Sequence, residues 1–219
     1  YIESHGHRKR ELLTMYHCYG IHDLTIPAEK KSLTEEIIMS NLDDLEDFRK
    51  QGIYFDYYFI DAGWSNPNGD LKDFDPENFP EGGGRVIRRI QKQGMKLGLW
   101  TSPGAGPMAF NYVENPDLEP CKLFPGPDGA LCLTAEPWHT MYKDALLYHV
   151  KENGVLGFKF DGNVFLCNNE AHGHLPGKYS AESIIDAMIE IVEEVRQECP
   201  DVLFMYYWGV TSPWWLLHG

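Results

Sequence analysis

Apolar runs alternate along this chain with amphipathic stretches, and turn formers mark each switch. Leu12 to Tyr19 is apolar and aromatic and predicts a first strand that ends at Gly20. Ser32, with Glu35 three residues on, forms a capping box for a helix running to about Gln51, where Gly52 stops it. Tyr54 to Ile60 predicts a second strand, finishing at Asp61-Ala62-Gly63-Trp64. Turn-rich Ser65 to Asp70 and the proline-punctuated Phe74 to Pro80 lead to a helix over Gly84–Gln93, with Val86, Ile87 and Ile90 at helical spacing. Met95 to Trp100 predicts a third strand. From Gly104 to about Thr134 the chain is rich in Gly, Pro and Asn, too long for a simple connector, and predicts a functional loop or small subdomain. Trp138 to Asn153 predicts a helix, and Val155 to Asp161 a fourth, buried strand. The polar loop Leu166 to Tyr179 precedes a helix over Ala181–Cys199, with Ser180 as N-cap and Ile184, Ile185, Met188, Ile191, Val192 and Val195 on its apolar face. Val202 to Trp208 predicts a fifth strand.

This alternation, with no glycine-rich phosphate loop after the first strand, implies parallel βα units in either a doubly wound sheet or a (β/α)8 barrel. The polar positions favour the barrel. Asp61, Trp64, Trp100, Asp161, Asn163 and Trp208 fall at or just past the C-terminal ends of several strands, where barrel active sites are built. A doubly wound sheet would gather its ligand contacts at one switch point. The expected fold is therefore α/β, a (β/α)8 TIM-type barrel. Five strands do not close a barrel of about 250 residues. Residues 1–219 are expected to be one partial catalytic domain, with the last strands beyond Gly219.

Composition narrows the partners. A chain that is 43% hydrophobic can bury a sizeable core, and a net charge of -14 argues against nucleic acid or an anionic membrane surface. Neutral ligands such as sugars remain. No apolar run approaches a membrane span, and the polar first residues carry no signal peptide. The expectation is a soluble protein, with secretion or a periplasmic location open. Apolar edges on an open barrel segment would favour oligomers. The five cysteines (Cys18, Cys121, Cys132, Cys167, Cys199) are odd in number and widely spaced, which argues against a zinc site or a disulfide framework. Cys121 and Cys132 share one segment and could pair in an oxidising compartment. His172-Gly173-His174 has a spacing that could chelate a metal, but no acidic or cysteine partner is evident and a polar loop is the better reading, so no metal or other cofactor is expected.

The stretch that carries chemistry is Gly157 to Asn163. On a strand, Lys159, Asp161 and Asn163 share one face while Phe158 and Phe160 take the other. A lysine beside a carboxylate suits a structural ion pair at a strand end. It suits equally a carboxylate nucleophile, because a neighbouring positive charge favours the ionised form. Tyr57, Tyr58 and Phe59 read as core packing, and Trp214 and Trp215 as helix or interface packing.

Four motifs in register add a resemblance. Ile60-Asp61-Ala62-Gly63-Trp64, then Phe74-x-Pro76 with Phe79-Pro80-x-Gly82, then Gly94 to Trp100, then Phe158 to Asn163 resemble the catalytic barrel of clan D α-galactosidases, chiefly glycoside hydrolase family 36, over residues 12 to 209. The resemblance implies a retaining, exo-acting α-glycosidase acting on an oligosaccharide or glycoside. Asp161 would be its nucleophile. Lys159 and Asn163 would hold sugar hydroxyls, Asp61 the hydroxyls of the terminal sugar, Trp100 the pocket wall, and Trp64 and Trp208 further sugar contacts. The family usually has two adjacent aspartates before Gly-Trp where this chain has Asp61-Ala62, which leaves the choice between galactose and glucose open. Its acid/base carboxylate lies past the fifth strand, and nothing after Trp208 carries one here. Alternatives are a transglycosylase of the raffinose-synthase type, a carbohydrate-binding relative without turnover, and a Schiff-base lyase or aldolase using Lys159. The last is disfavoured by the carboxylate two residues away.

Overall fold

Five short strands with apolar residues on both faces build a parallel sheet that curls into a half-barrel. The computed structural model describes residues 12–21, 33–66, 70–104, 115–126, 129–162 and 166–207. The strands are β1 (Met15–His17), β2 (Tyr57–Ile60), β3 (Lys96–Thr101), β4 (Val155–Phe160) and β5 (Leu203–Tyr206). They are hydrogen-bonded in sequential order, every neighbouring pair parallel. Helix α1 (Glu35–Lys50) returns the chain from β1 to β2, α2 (Gly84–Lys92) from β2 to β3, α3 (Trp138–Glu152) from β3 to β4, and α4 (Lys178–Glu198) from β4 to β5. This is the sequential βα winding of a TIM-type barrel rather than a doubly wound sheet.

Side-chain alternation assigns the two faces. The outward face of β2 presents Tyr58, whose hydroxyl donates to Asn41 Oδ1 on α1 (2.8 Å). On β4, Phe160 turns outward toward Tyr142 of α3 and Phe204 of β5, with ring centroids 6.2 and 5.4 Å away. The helices complete this layer with Ile38, Leu42 and Leu45 of α1, Val86 and Ile90 of α2, and Ile184, Met188, Ile191 and Val195 of α4, all buried. The inward face is filled differently. Phe59 lies across two glycines, so that a Cβ on Gly98 would sit 2.4 Å from its ring and one on Gly157 2.8 Å. One aromatic ring takes the place of three ordinary inward side chains.

Local chemistry sets the helix starts. The N-cap of α1 is Thr34, whose Oγ1 accepts from the amide of Ile37 (3.2 Å), and not Ser32. Ser32 lies outside the described residues. Glu35 is buried and pairs with Arg85 of α2 (3.0 Å), so its carboxylate ties two helices together instead of closing a capping box. Helix α4 begins at Lys178, which puts Ser180 inside it; the Ser180 hydroxyl donates to the Gly177 carbonyl (2.7 Å) and accepts from the Cys167 amide (2.8 Å). Among the described residues no helix is long and apolar enough to cross a membrane.

Candidate active site

Inward-facing residues at the C-terminal ends of β1, β2, β3 and β4 converge on one polar cluster. Asp61, just past β2, is at its floor, with its side chain only 3% exposed. His17 Nε2 from β1 approaches Asp61 Oδ2 to 2.6 Å, Lys159 Nζ from β4 donates to the same oxygen (3.2 Å), and the Ala62 amide donates to Oδ1 (2.8 Å). Burial by itself would raise the Asp61 pKa. The His17 hydrogen bond and charge, the Lys159 charge and the Ala62 amide outweigh burial and hold the carboxyl below its ordinary value. Lys159 reaches Asp61 across the width of β3, which the curl of the sheet permits. Its ammonium also stands over the Tyr207 ring, 4.5 Å from the centroid.

Asp161 forms the open side of the cluster, with its side chain 22% exposed. Lys159 Nζ is 3.7 Å from its Oδ2, the indole N–H of Trp100 donates to Oδ2 (3.2 Å), and the Gly162 amide donates to Oδ1 (2.8 Å). Lys159 thus stands between two carboxylates, one buried and one facing solvent. Two hydrogen-bond donors from different directions, with the Lys159 charge beside them, fix the plane of the Asp161 carboxylate. Trp100 packs with Ala62 in a small apolar patch separate from the main core.

Asp61, Trp100, Lys159 and Asp161 are therefore brought together, as strand parity predicts. Trp64 is not. Its ring is 2% exposed and packs against Phe74 and His149, and its indole N–H donates to the Trp100 carbonyl (2.8 Å). It supports the backbone of Trp100 from behind, a correction to its expected place as a sugar contact. Asn163 and Trp208 lie outside the described residues. His17 was missed by sequence reasoning, though the signal was present: it shares a strand face with Met15 and stands at the C-terminal end of β1.

A second cluster overturns the polar-loop reading of His172-Gly173-His174. Both imidazoles are buried, and Cys132 and Cys167 come from two separate loops to meet them. Cys121 and Cys132 are free thiols.

No protein-family description matches the chain, and no curated protein matches it in sequence. Solved structures do. AgaB, an α-galactosidase of glycoside hydrolase family 36 from Geobacillus stearothermophilus, superposes with a TM-score of 0.62 at 18% identity, over 90% of this chain and 28% of its own. A variant of AgaA from the same organism, crystallised with stachyose, gives 0.61 at 16% over the same shares. The α-galactosidase TtGalA of Thermus thermophilus, in complex with p-nitrophenyl α-D-galactopyranoside, gives 0.59 at 17%, over 90% of this chain and 38% of its own. The fold is that of these α-galactosidase barrels. The chain spans between about a quarter and two fifths of their length.

Proposed function

We propose that this chain supplies the nucleophile half of a retaining, exo-acting α-glycosidase of the α-galactosidase type. The observation that carries the reading is the Asp61–Lys159–Asp161 array at the C-terminal strand ends, buried at Asp61 and open at Asp161, on a fold that α-galactosidases use. Retaining hydrolysis runs by double displacement. Asp161 attacks the anomeric carbon as the leaving oxygen takes a proton from a second carboxylic acid, giving a covalent glycosyl-enzyme. Water then attacks that carbon with the same group acting as base, and Asp161 is released. The Trp100 and Gly162 N–H groups hold Asp161 in its line of attack. Lys159, already between the carboxylates, places N–H donors where sugar hydroxyls would lie, Asp61 provides the floor, and the Trp100 indole provides a wall. Asn163 and Trp208 join the same pocket in this proposal.

Lys159 does not suit Schiff-base chemistry, because its amino group is already engaged by two carboxylates, 3.2 and 3.7 Å away, and has no open approach to a carbonyl carbon. Transglycosylation on the same site differs only in the acceptor, and a binding protein without turnover would form no covalent intermediate.

The test is mass spectrometry of the protein after incubation with activated fluoro-galactoside, and with fluoro-glucoside because of Ala62. The label is expected on Asp161. Asp161→Ala is expected to lower turnover by on the order of 10^4-fold or more with the fold intact. Asp161→Gly is expected to regain activity with azide and give a product of inverted configuration. Labelling at another residue, or full activity in Asp161→Ala, would overturn the assignment.

A further inference from the structure

The loop after β3 and the loop after β4 meet at a buried cluster. Each first folds on itself through a local bridge, Lys122 with Leu131 in one and Cys167 with Gly177 in the other. At their contact, Cys132 from the first loop meets Cys167, His172 and His174 from the second. Their Sγ and ring nitrogen atoms all lie within 4.8 Å of one another, and none of the four residues is more than 7% exposed.

The pairing within the cluster is specific. Cys167 Sγ is 3.3 Å from His172 Nδ1, and Cys132 Sγ is 3.4 Å from His174 Nε2. A backbone carbonyl approaches the far side of each ring: His172 Nε2 is 2.8 Å from the Pro120 carbonyl, and His174 Nδ1 is 3.0 Å from the Leu175 carbonyl. A carbonyl has no proton to give, so His174 Nδ1 is an N–H donor and its Nε2 turns a bare lone pair toward Cys132 Sγ. At His172 Nε2 the Pro120 carbonyl and the Asn169 Nδ2 donor, 2.9 Å away, compete; the tautomer that donates to Pro120 turns its Nδ1 lone pair toward Cys167 Sγ. A backbone carbonyl fixing the outer N–H of a histidine is the support that metal-ligating histidines receive. The Thr134 hydroxyl, 3.1 Å from Cys132 Sγ, can donate to a thiolate there.

We propose that Cys132, Cys167, His172 and His174 bind one zinc ion as a tetrahedral S2N2 structural site. Zinc–sulfur and zinc–nitrogen bonds of about 2.3 and 2.0–2.1 Å put each sulfur about 3.6 Å from each nitrogen in a tetrahedron. The two measured sulfur–nitrogen distances reach that value with shifts of a few tenths of an ångström. Mixed thiolate and imidazole ligation in a closed four-ligand set selects zinc and leaves no position for a reactive water. Binding replaces two thiol protons, which leave to solvent, with two S–Zn bonds; no oxidant or reductant takes part. The ion joins two loops that border the candidate active site and holds them against each other.

The experiment takes protein carrying this chain, purified without a histidine tag from zinc-containing medium. Elemental analysis is expected to find about one zinc per chain, and X-ray absorption at the zinc edge a first shell of sulfur at about 2.3 Å and nitrogen at about 2.0 Å. Cys132→Ser and Cys167→Ser are expected to lose the metal, while Cys199→Ser, outside the cluster, keeps it. Removing zinc with a chelator is expected to raise hydrogen exchange within 116–133 and 167–177 first. A folded protein that holds no zinc after purification and takes up none when zinc is added would overturn the proposal. So would an oxygen-only first shell or a Cys132–Cys167 disulfide in the mass spectrum. Absorption on the unaltered protein decides the matter even where a serine variant fails to fold. None of these readings depends on turnover, so their failure leaves the glycosidase proposal standing.

Discussion

At the scale of single residues, the site turns on Asp61, which accepts from three donors while buried from solvent. Among the described residues its Oδ1 accepts from the Ala62 amide alone, which leaves a lone pair for a ligand hydroxyl. Asp61→Ala removes that acceptor and also strips the buried Lys159 of its nearer carboxylate. Binding of a monosaccharide ligand such as galactose or glucose, measured by titration calorimetry, is expected to weaken by about 2 kcal/mol, and the unfolding midpoint to fall with it. Unchanged affinity beside a lowered midpoint would make Asp61 a structural floor only. Ala62 matters at the same scale. Where the resembled family places a second carboxylate, this chain sets a methyl against the Trp100 indole, so under the proposed function the pocket has one fewer hydrogen-bond acceptor for a sugar hydroxyl.

Among the elements, the inner face of the sheet depends on how β2, β3 and β4 share space. Gly98→Ala would place a Cβ 2.4 Å from the Phe59 ring, in a strand interior with no room to yield. Urea unfolding is expected to show a loss of about 1–3 kcal/mol. Phe59→Leu in the same chain should recover part of it, a coupling that a double-mutant cycle reads directly. Element types and strand parity were legible in the sequence, because alternation across a strand is geometric: Lys159 and Asp161 face in, Phe158 and Phe160 face out. The helix starts were less so. Thr34 and Ser32 are equally good caps on paper, and the tertiary pairing of Glu35 with Arg85 goes with the later start. Trp64 was misplaced because sequence puts it near the strand end without saying which way its ring turns. Of the cysteine–histidine cluster only the spacing of His172 and His174 was legible, since Cys132 meets Cys167 and the histidines only through the packing of two loops.

For the molecule as a whole, acid sensitivity is expected to come from His149 on α3. Its Nε2–H donates to the Leu71 carbonyl (2.8 Å), Nδ1 accepts from the Asn153 amide (2.8 Å), and burial pushes its pKa down to about 4. The unfolded chain takes up this proton near pH 6.5 and the folded one only near pH 4. The stabilising contribution is complete above pH 6.5 and is lost as pH falls toward 4, by up to about 3 kcal/mol. Urea midpoints at pH 7 and pH 4.5 check this: they should drop in the natural protein, with a smaller drop in His149→Gln.

The link between Lys159 and Asp61 joins residues 98 positions apart. During synthesis the aspartate therefore emerges well before the lysine that will neutralise it. His17, made earlier still and carried on the neighbouring strand, is the partner at hand in the interval. Half of the charge arrangement can then assemble on β1 and β2 alone, and the half that faces a ligand waits for β4. An intermediate arrested before that strand docks would hold Asp61 without Asp161, the carboxylate proposed to react.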